Sequence, residues 1–560
     1  MLKRTVLVLL LLLTLPARAD KRERWIEQSL RSMSLDEKVG QVLIVSGIGG
    51  FKNQQSEAFE KIRQNIVEYH VGGYNVALGD PAAAAVMINS MQRLSRLPLL
   101  ISGDLEGGAG YVFPGSTRLP RGMAIAATND EAFAYEAGKI AAKEGRALGF
   151  HVNYYPVADV NSNPQNPIIN IRSFGEDPAK VSAMVQAYVR GCQDNGMLCT
   201  AKHFPGHGDT ATDSHSEMPV VTADRKRLDA IELVPFRAAI DANVAAIMTA
   251  HIALPEIEPD TRLPATLSPK VLTKLLREDL RFPGLIFTDA LDMQGVLGTF
   301  GEGEVAVRAL EAGADVLLFA KPDTMHPAIK AAVESGRLST ARLEQSVRRI
   351  LDAKWRSGLA KERLVDLSRI DTVVGSREHR EKAQEMMDRA ITLVRNQNNA
   401  VPLSPSTDLR VLQLNVLDNT TRWINNQTPG PVFAAELKKR FPKATAIQID
   451  ERSSPQELEL VRKAAEHADA IVVGTFVLTR WAKGTIELPQ HQIALLRDLV
   501  RMKKPFVLAA FGSPYVIRSL PETPSYLAAY ETHDAAQIAA AKAIAGEIEI
   551  RGVLPVNVNP

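Results

Sequence analysis

The stretch that decides the fold reads Gly196-Met197-Leu198-Cys199-Thr200-Ala201-Lys202-His203-Phe204-Pro205-Gly206-His207-Gly208-Asp209-Thr210-Ala211-Thr212-Asp213-Ser214-His215. Its opening, 196–201, is apolar or small and reads as a short buried strand. The fourteen residues from Lys202 hold one lysine, three histidines and two aspartates. A buried element does not tolerate that density of polar groups, and a solvated loop has no structural need for three histidines. The pattern is a strand that ends in a polar loop, the place where catalytic groups collect in α/β proteins.

Working outward, apolar runs of the same kind lie at 41–46, 73–77, 99–103, 150–155, 198–202, 245–250, 284–288 and 314–319. Helical patterns, such as 131–148 and 179–193, separate most of them. Strands that alternate with helical crossovers predict an α/β chain whose first part is a (β/α)8 TIM-like barrel. We place this catalytic domain at 20–372, with closing helices from 340, and a connector helix at 373–396. A smaller α/β sandwich domain then spans 397–560, with apolar runs at 409–414, 445–449, 470–475, 505–510 and 526–529. A chain of 560 residues is too long for one core, so two or three domains are expected.

Residues 1–19 read as a secretory signal peptide: a start with Lys3 and Arg4, an apolar run of about a dozen residues, and an Ala17-Arg18-Ala19 cleavage site. The run falls short of the roughly 20 residues of a membrane span, so an exported, soluble protein is expected, periplasmic or extracellular. After cleavage 63 basic and 64 acidic residues remain. Near-neutral charge gives no support for nucleic-acid or polybasic membrane binding. Cys192 and Cys199 are too few for a disulfide scaffold, and no Cys/His spacing suggests zinc. Strand alternation turns Cys199 toward the helix layer that carries Cys192, where an oxidising compartment permits a bridge.

Polar residues recur at the ends of the proposed strands. Asp104 and Glu106 follow the third, Asp159 and 161–172 the fourth, Lys202 and His203 the fifth, His251 the sixth and Asp289 the seventh. Side chains gathered after five strands predict a concave polar site on the C-terminal face of the barrel.

The segment from Lys202 to His215 resembles the signature of the β-N-acetylglucosaminidase branch of glycoside hydrolase family 3. Asn170-Ile171-Arg172-Ser173-Phe174-Gly175-Glu176-Asp177-Pro178 and Thr288-Asp289-Ala290 are similar to further family segments, so the resemblance spreads over most of 25–560. It implies that Asp289 is the nucleophile, with Asp292 a rival three residues on. It also implies that Asp213 and His215 form the acid/base dyad and that Asp104, Arg172, Lys202 and His203 line the first sugar subsite. A histidine suits the role because its ordinary pKa of ~6.5 lets it give and take protons near neutrality. Gly206 and Gly208 are expected to let the dyad loop swing.

His207, Asp209, Asp159 and His251 are expected to support these residues from behind. The chain departs from the family after Gly107-Gly108, where many members carry arginine; here Ala109 follows and 110–121 diverges. The resemblance implies an exported retaining β-N-acetylglucosaminidase without metal or organic cofactor, acting on carbohydrate: peptidoglycan fragments (muropeptides) first, chitin oligomers second. Two alternatives stand beside it. One is a family 3 β-glucosidase taking its acid from Glu487; the other is a sugar-binding protein without turnover.

Overall fold

A computed structural model describes residues 21–212, 214, 218–297, 300–404, 406–418, 428–477 and 485–559. Eight parallel strands form the first sheet: β1 Leu43–Ile48, β2 Gly73–Ala77, β3 Leu100–Gly103, β4 Val152–Asn153, β5 Leu198–Phe204, β6 Ala246–Thr249, β7 Leu285–Phe287 and β8 Leu317–Leu318. Their order is β7-β6-β5-β4-β3-β2-β1-β8, and a parallel bridge from Phe287 to Val316 joins the two ends. The sheet is therefore a barrel, and each strand lies within a few residues of the apolar run that predicted it. Strands covered on both faces carry unbroken apolar runs, which is why they are legible; all seven residues of β5 are buried.

Helix ends follow local chemistry. Asp177 caps the helix Pro178–Gln193, accepting from the Ala179 N–H at 2.9 Å, with proline at the first turn. Gly149 closes the helix Glu131–Leu148 at φ 95°. Inside the barrel Tyr154 donates to Ser102 Oγ at 2.6 Å and meets Phe287 edge-on at 5.6 Å. Such aromatic pairs contribute about 0.5–1.5 kcal/mol beyond area burial. Cys192 and Cys199 are both buried in this layer, and both are free thiols.

The second sheet holds β9 Thr392–Asn396, β10 Val411–Leu417, β11 Thr445–Ile449, β12 Ala470–Val477, β13 Phe506–Gly512 and β14 Ser525–Ala528, in the order β11-β10-β12-β13-β14-β9. All pairs are parallel except β14 with β9. The helix expected to run to residue 396 stops instead at Ala390, and the next residues become this antiparallel edge strand. The second sheet meets the barrel at the loops that leave β3 and β4. Arg121 donates through Nε to Glu531 at 2.7 Å with both side chains buried, and Asn161 Nδ2 donates to Tyr515 Oη at 3.0 Å.

Candidate active site

β3 delivers Asp104 and Glu106, and β5 delivers Lys202. The Lys202 ammonium donates to Asp104 Oδ1 at 2.8 Å and lies 3.8 Å from Glu106 Oε2. Arg172, carried by the short helical turn Asn170–Arg172, grips Glu106 through Nε at 2.9 Å and Nη2 at 3.1 Å. Glu106 is the buried centre of this cluster, and Asp104 alone is half-exposed, at 47%. Burial opposes ionisation of Glu106, but the charges of Arg172, Lys202 and Arg121 outweigh it and hold its pKa at about 2. The expected sugar residues Asp104, Lys202 and Arg172 are thus brought together around an anion that sequence reasoning noted without assigning it a role. Its signal was the Asp104-Leu105-Glu106 spacing.

His203 sits beside them, with Nδ1 2.7 Å from Asp159 Oδ2. Asp159 is fully buried and also accepts the His207 N–H at 2.7 Å. Burial raises its pKa, and His203 and the other donors around it bring it below the usual carboxylate range. One carboxylate therefore fixes both ends of the segment 203–207. Gly208, expected to be part of a hinge, is instead packed: a Cβ there would lie 1.8 Å from the Val160 carbonyl oxygen. The glycine allows close approach of two backbones, so the first half of the loop is clamped.

His207 carries the order further. Thr210 Oγ1 donates to the His207 carbonyl at 3.0 Å, so it accepts from Nδ1–H at 2.8 Å. Nε2 is then an acceptor, and the Ser214 hydroxyl stands 3.1 Å from it. Burial, with His203 nearby, pushes the His207 pKa down to about 4, so the ring is neutral at pH 7. The Ser214 carbonyl in turn accepts from Gly295 N–H at 3.3 Å, in the segment that follows β7. Asp213 and His215, the expected dyad on either side of Ser214, lie outside the described residues.

Asp289 leaves β7 half-buried. Its Oδ1 accepts from Ala290 N–H at 2.8 Å, its own N–H points to Thr249 Oγ1 at 3.4 Å, and it is close enough to act electrostatically on His207. Asp292 is not within a helix but in an exposed turn before the helix Gln294–Leu297. His251 braces the same corner, with Nδ1 2.8 Å from Thr266 Oγ1 and Nε2 3.0 Å from the Ala290 carbonyl oxygen. Glu487 is exposed in the segment before the helix Gln490–Arg501.

A carboxylate at the end of one barrel strand, a lysine–aspartate pair at the ends of two others and a clamped histidine loop can bind a polyol and support displacement at carbon. The chain is similar to several known proteins. Residues 34–353 match the family described as Glycosyl hydrolase family 3 N terminal domain. A β-N-acetylglucosaminidase/β-glucosidase of Cellulomonas fimi is 32% identical over 397 residues, covering 69% of either chain. β-Hexosaminidase A of Pseudoalteromonas piscicida is 30% identical over 89% of this chain and 91% of its own. The solved structure of a glycoside hydrolase family 3 β-N-acetylglucosaminidase from Paenibacillus sp. str. FPU-7 superposes with a TM-score of 0.85 at 34% identity, over 94% of this chain and 99% of that one. The chain belongs to glycoside hydrolase family 3.

Proposed function

We propose that this chain is an exported, retaining exo-β-N-acetylglucosaminidase that removes terminal β-linked N-acetylglucosamine, from peptidoglycan fragments first and chitin oligomers second. The Asp289 carboxylate attacks the anomeric carbon while His215 gives its proton to the departing oxygen. The bond to the aglycone breaks and a glycosyl ester forms on Asp289. His215, now a base, takes a proton from water, and the water oxygen displaces Asp289 with net retention. Asp213 orients the ring and stabilises the imidazolium. Asp104, Lys202, Arg172 and His203 hold the sugar.

The observation that carries this reading is the tether of Ser214 between His207 and Gly295. It supports a dyad loop that sits against the corner bearing Asp289. The names of the relatives from Pseudoalteromonas piscicida and Paenibacillus sp. str. FPU-7 support the choice of sugar. The basic, then apolar start of the sequence supports export, with 1–19 as the removed segment; it lies outside the described residues. No helix among the described residues is long and apolar enough to cross a membrane. We read 20–372 as the catalytic domain, with 397–560 as the sandwich domain joined to it through 373–396.

The relative from Cellulomonas fimi carries both β-N-acetylglucosaminidase and β-glucosidase in its name, so the test compares aryl β-N-acetylglucosaminide with aryl β-glucoside. The reading predicts turnover of the first at far higher kcat/KM, with the β anomer as first product by NMR. Preference for the glucoside, an α first product, or binding without turnover would each contradict it.

A further inference from the structure

Two short helices, Arg225–Ala230 and Val234–Asp241, come next in the chain after the loop that leaves β5. They fasten the first half of that loop at three points. Phe236 meets Phe204, the last residue of β5, edge-on at 5.2 Å. The stem of Glu232 packs on Gly206, where an added Cβ would lie 2.7 Å from the Glu232 Cβ. Gly206 is at φ 136°, so the close approach and the backbone both call for glycine. Arg227 Nη2 donates to Asp209 Oδ2 at 2.7 Å.

Arg227 is a bridge. Its Nε and Nη2 both reach Glu232 Oε1 at 3.2 Å, so one guanidinium joins two carboxylates. Glu232 is 1% exposed, and Arg227 is its only side-chain hydrogen-bond partner among the described residues. A buried carboxylate with a single partner is costly to keep; what it holds here is Arg227. Asp209 is gripped from the other side as well. Ser162, in the segment after β4, donates through Oγ to Asp209 Oδ1 at 3.2 Å. Asp209 is thus fixed between two elements, and the next residue is Thr210, whose hydroxyl accepts from His207. Asp213 and His215 follow in the same stretch of chain.

We propose that Arg227 is a positioning residue for the acid/base step: it holds Asp209 in place and so sets the point from which the chain runs on to Asp213 and His215. This rests on the glycosidase reading above, with His215 as the acid. Arg227 acts through Asp209 and not on the sugar. The two side chains are 38% and 26% exposed, and exposed ion pairs add little to global stability. What this one contributes is local order, which proton transfer needs and folding does not. A lysine at 227 would supply a point charge in place of the fork, and so would reach one carboxylate at a time.

The test measures kcat/KM on aryl β-N-acetylglucosaminide and on N,N′-diacetylchitobiose. It compares full-length wild type, Arg227→Gln, Arg227→Lys, Asp209→Asn and the double variant Arg227→Gln/Asp209→Asn. We expect Arg227→Gln to lose at least about fivefold on the chitobiose, whose leaving oxygen needs the proton, and little on the aryl substrate. Arg227→Lys should fall between it and wild type. Asp209→Asn and the double variant should match Arg227→Gln, because all three remove one shared contact. Tm should move by no more than about 2 °C. Equal losses on the two substrates, wild-type rates on both, or additive losses in the double variant would each overturn the positioning role. Hydrogen exchange needs no turnover: amides 208–212 should exchange faster in Arg227→Gln than in wild type, and equal rates would also overturn it. Failure of wild type to hydrolyse either substrate would sink the proposed function, while exchange would still decide whether Arg227 holds the segment.

Discussion

The hydroxyl of Ser214 stands 3.1 Å from Nε2 of His207, and that contact ties the proposed dyad loop to the clamped half of the β5 loop. Ser214→Ala and His207→Ala both release it. A small misplacement of a reacting group can cost on the order of 100-fold, so we expect kcat to fall about 10–100-fold in His207→Ala and less in Ser214→Ala. KM for aryl β-N-acetylglucosaminide should move little in either. Steady-state kinetics check this, and wild-type kcat in both variants would make the tether idle.

His207 also sets part of the acid limb of stability. Its pKa is about 4 in the folded chain, against ~6.5 for a free histidine. Between those values the unfolded chain binds the proton and the folded one does not. Stability is therefore full above pH 6.5 and is lost as pH falls through 4. One pKa unit is ~1.4 kcal/mol, giving about 3 kcal/mol in all. Thermal melts from pH 7 to 4 should show a shallower loss in His207→Gln than in wild type; parallel curves would refute the assignment.

Glu106 and Asp104 should separate stability from activity. Glu106→Ala strands Arg172 and leaves Lys202 with Asp104 as its carboxylate, and removing one partner of a buried pair costs about 3–5 kcal/mol. Asp104 is half-exposed, so Asp104→Ala should cost under about 1 kcal/mol while lowering kcat/KM. Urea melts beside kinetics decide it. A destabilised Asp104→Ala or a stable Glu106→Ala would reverse the assignment.

Glu487→Gln tests the β-glucosidase-like alternative. The residue is exposed, and the proposed acid comes from the barrel, so kcat should stay within about tenfold of wild type. A lost general acid would lower it by ~10²–10⁴.

The parts of this architecture that are local in sequence were legible in it. Fully buried parallel strands such as β5 announce themselves as apolar runs, and Asp177-Pro178 announces a helix start. Strand β9 did not, because nothing between Arg377 and Asn396 is glycine or proline, so a helical pattern ran on. An edge strand with mostly half-buried side chains leaves little periodic trace. Residue types in the site were readable, but pairings were not. Arg172 meets Glu106 across 66 positions, and Asp159 reaches His203 only because the segment after β4 runs beside the end of β5. Gly208 looked like a hinge because flexibility and close approach call for the same residue.

The division of labour between Asp289 and His215 is the central claim, and leaving-group dependence in His215→Ala tests it most directly. An aryl leaving group needs little protonation, so its first step should suffer only modestly. A sugar leaving group should lose ~10²–10⁴ in rate. Deglycosylation also loses its base, so glycosyl-enzyme should accumulate on Asp289, visible by mass spectrometry, and azide should restore turnover as a glycosyl azide. Asp289→Ala should be inactive on every substrate, with or without azide. Equal losses on aryl and sugar leaving groups in His215→Ala, without azide rescue, would make the histidine a binding residue and contradict the mechanism.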